Sequence, residues 1–233
     1  MNTILEQILH WDKEFFLLLN ACHSNFFDSF MWFFSSKTVW IPMYLSVLYV
    51  IFKDKRKEFI FIILGFVAAI VLSDQLSSGL IKPMVERLRP SHEPTLSGLV
   101  HLVNNYTGGR FGFVSSHAAN SFGFAMLSAL VFRYKPYSFV IFAWALLNSY
   151  SRIYLGVHYP LDIICGAAVG IFSAFFVHIL LYYIKKIYTG FDYKRSGGIN
   201  ITASGFEYKN VRMVIFFLLI TVLFISIFAF ETF

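Results

Sequence analysis

The chain has 233 residues, 58% hydrophobic and 20% aromatic, with 19 basic and 13 acidic side chains, a formal charge of +6 and a mean hydropathy of +0.66. A soluble domain of this length needs many more charges to cover its surface, so the composition excludes an ordinary soluble fold and calls for burial in a membrane. The basic residues fall in short clusters between apolar segments and build no stripe along one face, which argues against a nucleic-acid partner.

The first 20 residues carry Glu6, Asp12 and Glu14 and lack both a basic opening stretch and a small-residue cleavage site, so no cleaved signal peptide is expected. Within 3–20, Ile4, Leu5, Ile8, Trp11, Phe15, Leu18 and Leu19 recur at helical spacing between charged residues. That pattern predicts an amphipathic helix lying on the membrane surface, with a solvated helix packed on a bundle as the alternative.

Apolar runs at about 38–52, 58–81, 116–132, 137–155, 161–184 and 211–230 are long enough, or nearly so, to cross a bilayer. The first and third are short, and Phe26 to Phe34 extends the first as a re-entrant or interfacial piece. The expected fold is all-α: a polytopic bundle of about six transmembrane helices with an N-terminal interfacial helix, one domain over 1–233 with no internal repeat. Cys22 and Cys165 support neither a disulfide framework nor a thiolate metal site.

Lys and Arg collect in three alternate loops: Lys53, Lys55, Arg56 and Lys57; Arg133 and Lys135; and Lys185, Lys186, Lys194, Arg195 and Lys209. By the positive-inside rule these loops are cytoplasmic, which puts 82–115, 156–160 and both termini outside. The Gly-rich stretch Ser196 to Gly205 reads as a flexible cytoplasmic connection. Asp74, Gln75 and Asn148 are polar groups at membrane depth, suited to interhelical hydrogen bonds, an acyl-chain groove or a proton path.

Three segments carry chemistry. Lys82 and Arg89, in a stretch ending at Pro90, are two cations just beyond the second span, able to clamp a phosphate or simply to snorkel. Val114-Ser-Ser-His117 opens the third span, where free N–H groups and small hydroxyls favour an anion, or where a serine merely caps the helix. Ser151-Arg152 to Asp162 crosses the tight turn between the fourth and fifth spans. There Pro160 suits a first helical turn, and Asp162 lies within reach of the His158 imidazole. The topology brings all three to the outer surface.

In order, these segments resemble the signature motifs of the type 2 phosphatidic acid phosphatase superfamily: Lys-x6-Arg-Pro, Pro-Ser-Gly-His and Ser-Arg-x5-His-x3-Asp. The first and third are complete. In the second, Val114 stands where the family has Pro and Ser116 where it has Gly, while Ser115 and His117 are kept. The resemblance covers 82–162 by motif and the whole chain by span pattern.

The resemblance implies a metal-independent lipid phosphatase without a cofactor. His158 is then the nucleophile that forms a phosphohistidine, Asp162 orients it, and His117 serves as general acid and base. Lys82, Arg89, Arg152, Ser115 and Ser116 bind the phosphate. The expected substrate is a phosphomonoester or diphosphate of an envelope lipid: lipid A phosphate, undecaprenyl diphosphate, phosphatidylglycerophosphate or phosphatidate. The expected location is the inner membrane with the site facing the periplasm or exterior, and no obligate protein partner is expected. Segment 91–115 is long enough for a mobile lid or headgroup clamp, with an ordinary interfacial loop as the alternative. Competing readings are a lipid transporter, a noncatalytic scaffold and a vanadate-binding relative of the haloperoxidases.

Overall fold

The computed structural model of the chain describes residues 3–189 and 200–231. Helix α1 (Ile4–Asn20) starts at a capping box in which Thr3 Oγ1 accepts from the Glu6 N–H at 3.3 Å and Glu6 Oε2 accepts from the Thr3 N–H at 2.8 Å. Its apolar Ile4, Leu5, Trp11, Phe15 and Leu18 face outward, while Asp12, Phe16 and Asn20 are buried against the protein. An outward apolar stripe is what an interfacial helix requires, and the inward polar residues serve tertiary contacts.

Helix α2 (Asn25–Phe34) is capped by Ser24 and meets the segment Thr38–Asp54, which contains α3 (Ile41–Asp54), at a bend of 66°. Helix α4 (Phe59–Asp74) continues through a π-helical turn at Gln75–Ile81 into the short α5 (Lys82–Val85). The long helices α6 (Ser116–Phe132), α7 (Lys135–Tyr154), α8 (Pro160–Thr189) and α9 (Tyr208–Glu231) complete the bundle. Helix α6 is the hub, packed on α8, α7 and α4; α9 covers α2 and α3, and α1 lies across α7 and α8.

The α6–α8 contact depends on small residues four apart. A Cβ at Gly170 would strike the Ala119 carbonyl, and one at Gly166 the Ser115 carbonyl. Only hydrogen at those two positions lets the backbones approach this closely. The approach brings the Ser115 N–H to the Asp162 carbonyl at 2.9 Å, tying the start of α6 to the start of α8.

The three basic loops meet at the opposite end. Lys53 donates to Asn210 at 3.2 Å, Lys185 pairs with Glu58 at 2.6 Å, and Arg212 donates to the Tyr134 hydroxyl at 3.2 Å. Lys194, Arg195 and residues 196–199 of the expected flexible connection lie outside the described residues. The remainder of that connection is a packed turn, with Thr202 and Ser204 buried and Ser204 donating to the Phe132 carbonyl at 2.8 Å. Its glycines and small polar residues serve a tight turn where an open linker was expected.

The six expected spans fall on the bent pair α2–α3, α4, α6, α7, α8 and α9. By length and apolar composition three segments qualify, Phe59–Val85, Pro160–Ile187 and Tyr208–Glu231, or four if the bent pair is one span. The count of six is not reached on that measure. Helix α6 has 17 residues, and α7 carries buried Asn148, Ser149, Ser151 and Arg152. Helix α6 is shielded by its neighbours, and α7 exposes Phe139 and Leu146 on one face while its other face packs those polar groups inward, so neither sequence need be apolar all round. Asn148 and Asp74 make the expected interhelical hydrogen bonds, to α6 residues Ser121 (2.8 Å) and Asn120 (3.4 Å).

Because α6 and α8 meet backbone to backbone, Gly170→Val overpacks the contact and should destabilise the protein by about 3 kcal/mol, measured by unfolding in detergent. Wild-type stability in that variant would contradict the packing described.

Candidate active site

Each expected site residue has a defined origin in the fold. Lys82 opens α5 after the π turn, and its Nζ donates to Ser116 Oγ at 3.2 Å. Arg89 lies in the loop pinned by an isolated bridge between Leu88 and Phe111, and its Nε donates to the Phe111 carbonyl at 3.1 Å. Arg152 is in the last turn of α7, where Nη1 donates to Ser35 at 2.6 Å and Nη2 to the Tyr106 hydroxyl at 3.2 Å. Arg89 and Arg152 are 9% and 8% exposed. Arg89 Nη1 and Arg152 Nε have no hydrogen-bond partner among the described residues. Buried guanidinium donors left open in this way are costly unless an anion completes them.

His158 precedes Pro160, the first residue of α8, and is 2% exposed. Its Nδ1 lies 3.2 Å from Asp162 Oδ2, which also accepts from the Tyr159 N–H at 3.0 Å. The carboxylate therefore holds the proton on Nδ1 and leaves a lone pair on Nε2. Burial, together with the nearby Arg89 and Arg152 cations, holds the His158 imidazole well below its ordinary pKa, so the ring is neutral. Gly112 closes the other side: a Cβ there would lie 2.9 Å from Asp162 Oδ2.

The serines divide their work. Ser115, fully buried, is the N-cap of α6, its Oγ accepting from the Ala118 N–H at 3.3 Å. Ser116, at the departure from the family motif, meets Lys82 instead. His117 Nε2 lies 3.3 Å from Asn148 Oδ1, and Asn148 Nδ2 donates to Ser121. With that amide orientation Nε2 carries the proton and Nδ1 keeps its lone pair. From Ser116 and His117 a cavity of about 520 Å³ runs down between α3, α4 and α6 past Tyr44, Val47, Phe66 and Ile70.

Two site residues escaped the sequence reading. Arg87 was a spacer between Lys82 and Arg89, yet its Nη1 donates to Asp162 Oδ1 at 3.0 Å and its Nη2 to Asp12 Oδ2 at 2.6 Å. Asp12 read as a polar-face charge of α1, yet it is buried and its Oδ1 accepts the Leu161 N–H at 2.9 Å, capping the start of α8. The available signal was the spacing of Asp12, Phe16 and Asn20, which share one helix face and are all buried. Segment 91–115 is held by Ser91 Oγ on the Thr107 carbonyl (2.7 Å) and by the His101 N–H on Asn20 (2.8 Å).

Among the described residues Lys82, Arg89 and Arg152 form no ion pair, while Arg87 is shared by two carboxylates. The pocket thus combines an excess of buried positive charge with a neutral, oriented imidazole, an arrangement suited to an oxyanion whose central atom a nitrogen can approach.

Comparison with known proteins agrees with this chemistry. The chain is 40% identical over 179 residues to a lipid A 4'-phosphatase of Bacteroides thetaiotaomicron, covering 76% of this chain and 80% of that protein. It is 37% identical over 187 residues to a lipid A 4'-phosphatase of Porphyromonas gingivalis, covering 80% and 79%. The crystal structure of Aquifex aeolicus LpxE superposes with a TM-score of 0.58 at 26% identity, covering 71% of this chain and 93% of that one. The sequence pattern of the PAP2 superfamily matches residues 62–186, more than half of the chain, which belongs to that superfamily of membrane phosphatases.

Proposed function

We propose that this protein removes the phosphate from the 4' position of lipid A at the outer face of the inner membrane, without a metal ion and through a phosphohistidine on His158. The observation that carries the chemistry is the carboxylate-oriented, buried imidazole beside guanidinium donors that lack a protein partner. The two relatives named as lipid A 4'-phosphatases support the choice of substrate. The concentration of Lys and Arg at the other end of the bundle supports the orientation, with α6 crossing inside the bundle and α7 at its edge to complete six spans.

In the first step the His158 Nε2 lone pair attacks phosphorus in line, forming an N–P bond as the P–O ester bond breaks. The electron pair leaves on the sugar oxygen, which takes a proton from His117 Nδ1, where the ring, neutral without substrate, gains that proton as the phosphate anion binds. Lys82, Arg89, Arg152 and Ser116 bind the three equatorial oxygens, and Asp162 stabilises the positive charge that grows on the His158 ring. In the second step His117 takes a proton from water, the oxygen attacks phosphorus, and the N–P bond breaks to return the lone pair to His158. Inorganic phosphate departs. The cavity between α3, α4 and α6 accepts an acyl chain while the phosphate stays at the interface.

Phosphate release by detergent-purified protein in excess chelator tests this directly, with lipid A, undecaprenyl diphosphate, phosphatidylglycerophosphate and phosphatidate as substrates. Lipid A should be the best substrate, its product should retain the 1-phosphate, and His158→Ala should lose about a thousandfold or more in kcat. Release that stops with chelator, or that survives in His158→Ala, would refute the mechanism. His117→Ala should slow lipid A by about a hundredfold or more, whereas p-nitrophenyl phosphate, whose leaving group needs no proton, should give a fast burst of about one equivalent of p-nitrophenol followed by slow turnover, because the water step also lacks its base. A p-nitrophenol burst slowed as much as lipid A cleavage would remove His117 from the acid role.

The neutral state of His158 also has a stability consequence. The unfolded imidazole protonates near its ordinary pKa of about 6.5, whereas the buried one does not. Its contribution to folding stability is complete above that pH and is lost as pH falls below it. Wild-type stability should therefore drop between about pH 6.5 and 5 more steeply than that of His158→Gln; parallel curves would contradict a neutral buried ring.

A further inference from the structure

Resting on the proposed role of His158, we infer that Arg87 and Asp12 are positioning residues: a buried Asp12–Arg87–Asp162 chain locks the carboxylate that aims the nucleophile, and α1 supplies its far end. Asp162 uses its two oxygens for different partners. Oδ2 faces His158 Nδ1 and the Tyr159 N–H, while Oδ1 is held by Arg87 Nη1 at 3.0 Å. Rotation of the carboxylate would break the Arg87 contact, so the guanidinium fixes the plane in which the imidazole proton is accepted.

Arg87 is itself fixed on three sides. Its Nη2 donates to Asp12 at 2.6 Å, and its guanidinium lies over the Tyr159 ring with the carbon 4.0 Å from the centroid. The opposite edge of that arrangement is Phe16, packed against Tyr159 at 5.4 Å between centroids. Phe16 is one helical turn beyond Asp12 on the same inward face of α1. Asp12 also caps α8 through the Leu161 N–H at 2.9 Å, within the turn that carries Asp162. Helix α1 therefore touches the catalytic pair through a charge, a helix cap and an aromatic contact.

The arrangement separates orientation from phosphate binding. Lys82, Arg89 and Arg152 make no contact with Asp12, and the hydrogen bonds of Arg87 go to the two carboxylates. Loss of the chain should therefore lower turnover and leave oxyanion affinity intact, a split that general loosening of the fold does not produce. Asp12→Asn is the informative substitution, because the amide oxygen still accepts from Leu161 while the negative charge that faces Arg87 is gone.

The experiment measures kcat and KM on the best lipid substrate, and the inhibition constant of inorganic phosphate, for wild type, Asp12→Asn, Arg87→Gln, the double variant and His158→Ala. Asp12→Asn should lose about tenfold and Arg87→Gln about a hundredfold in kcat, with KM and phosphate inhibition within about twofold of wild type. The double variant should be no more than about twofold below Arg87→Gln, because Asp12 acts through Arg87. An unchanged kcat in Asp12→Asn, losses that multiply, or a parallel weakening of phosphate inhibition would overturn the inference. If Arg87→Gln does not fold, Asp12→Asn with Arg87→Lys carries the same test, Lys being unable to fork between two carboxylates. Activity retained in His158→Ala would instead refute the underlying mechanism.

Discussion

A single buried carboxylate organises one end of this bundle. Asp162 has no solvent exposure, yet its side chain accepts from His158, Tyr159 and Arg87, and its backbone carbonyl accepts from Ser115. Through those four contacts the first turn of α8 fixes the imidazole, the start of α6 and the loop after α5. A carboxylate in that setting is tolerable only because every neighbour is a donor and one of them is a cation. The same satisfaction makes it a rigid orienter, so stability and chemistry rest on one group.

The bundle makes this possible by two unlike kinds of packing. Glycines 166 and 170 remove side chains from the α6–α8 contact, so the helices meet at backbone distance and their first turns share the site. Elsewhere edge-to-face aromatics fill the interior, as where Trp40 meets Phe34 at 4.7 Å and Trp144 at 5.5 Å. Lipid-facing helices such as α9 need only be apolar. The facing sides of α6 and α7 can carry Asn148, Ser121 and His117, because each polar group finds a partner on the neighbouring helix.

Much of this was legible in the residues. The apolar runs located the long helices, and the spacing Arg152, His158, Asp162 anticipated the oriented imidazole, because a carboxylate four residues from a histidine across a Pro-started turn has few other places to go. The span count was less legible, since hydropathy measures exposure to lipid: α6 is shielded from it, and α7 spends one face on buried polar residues. Arg87 and Asp12 were hidden for a different reason. Each is an ordinary charge in its own segment, and only tertiary contact between residues 75 positions apart gives it a role. Ser115 shows why the second motif reads two ways: its hydroxyl caps α6, and a capping serine and a phosphate-binding serine look alike in sequence.

The central claim is that phosphorus passes through a bond to His158. The most direct measurement uses ³²P-labelled p-nitrophenyl phosphate with the His117→Ala protein, in which the leaving group needs no acid but the hydrolytic water is not activated, followed by alkaline quench and peptide mapping. The account predicts base-stable, acid-labile label on the peptide containing His158. Label on another residue, or turnover with no labelled protein at any time point, would contradict it.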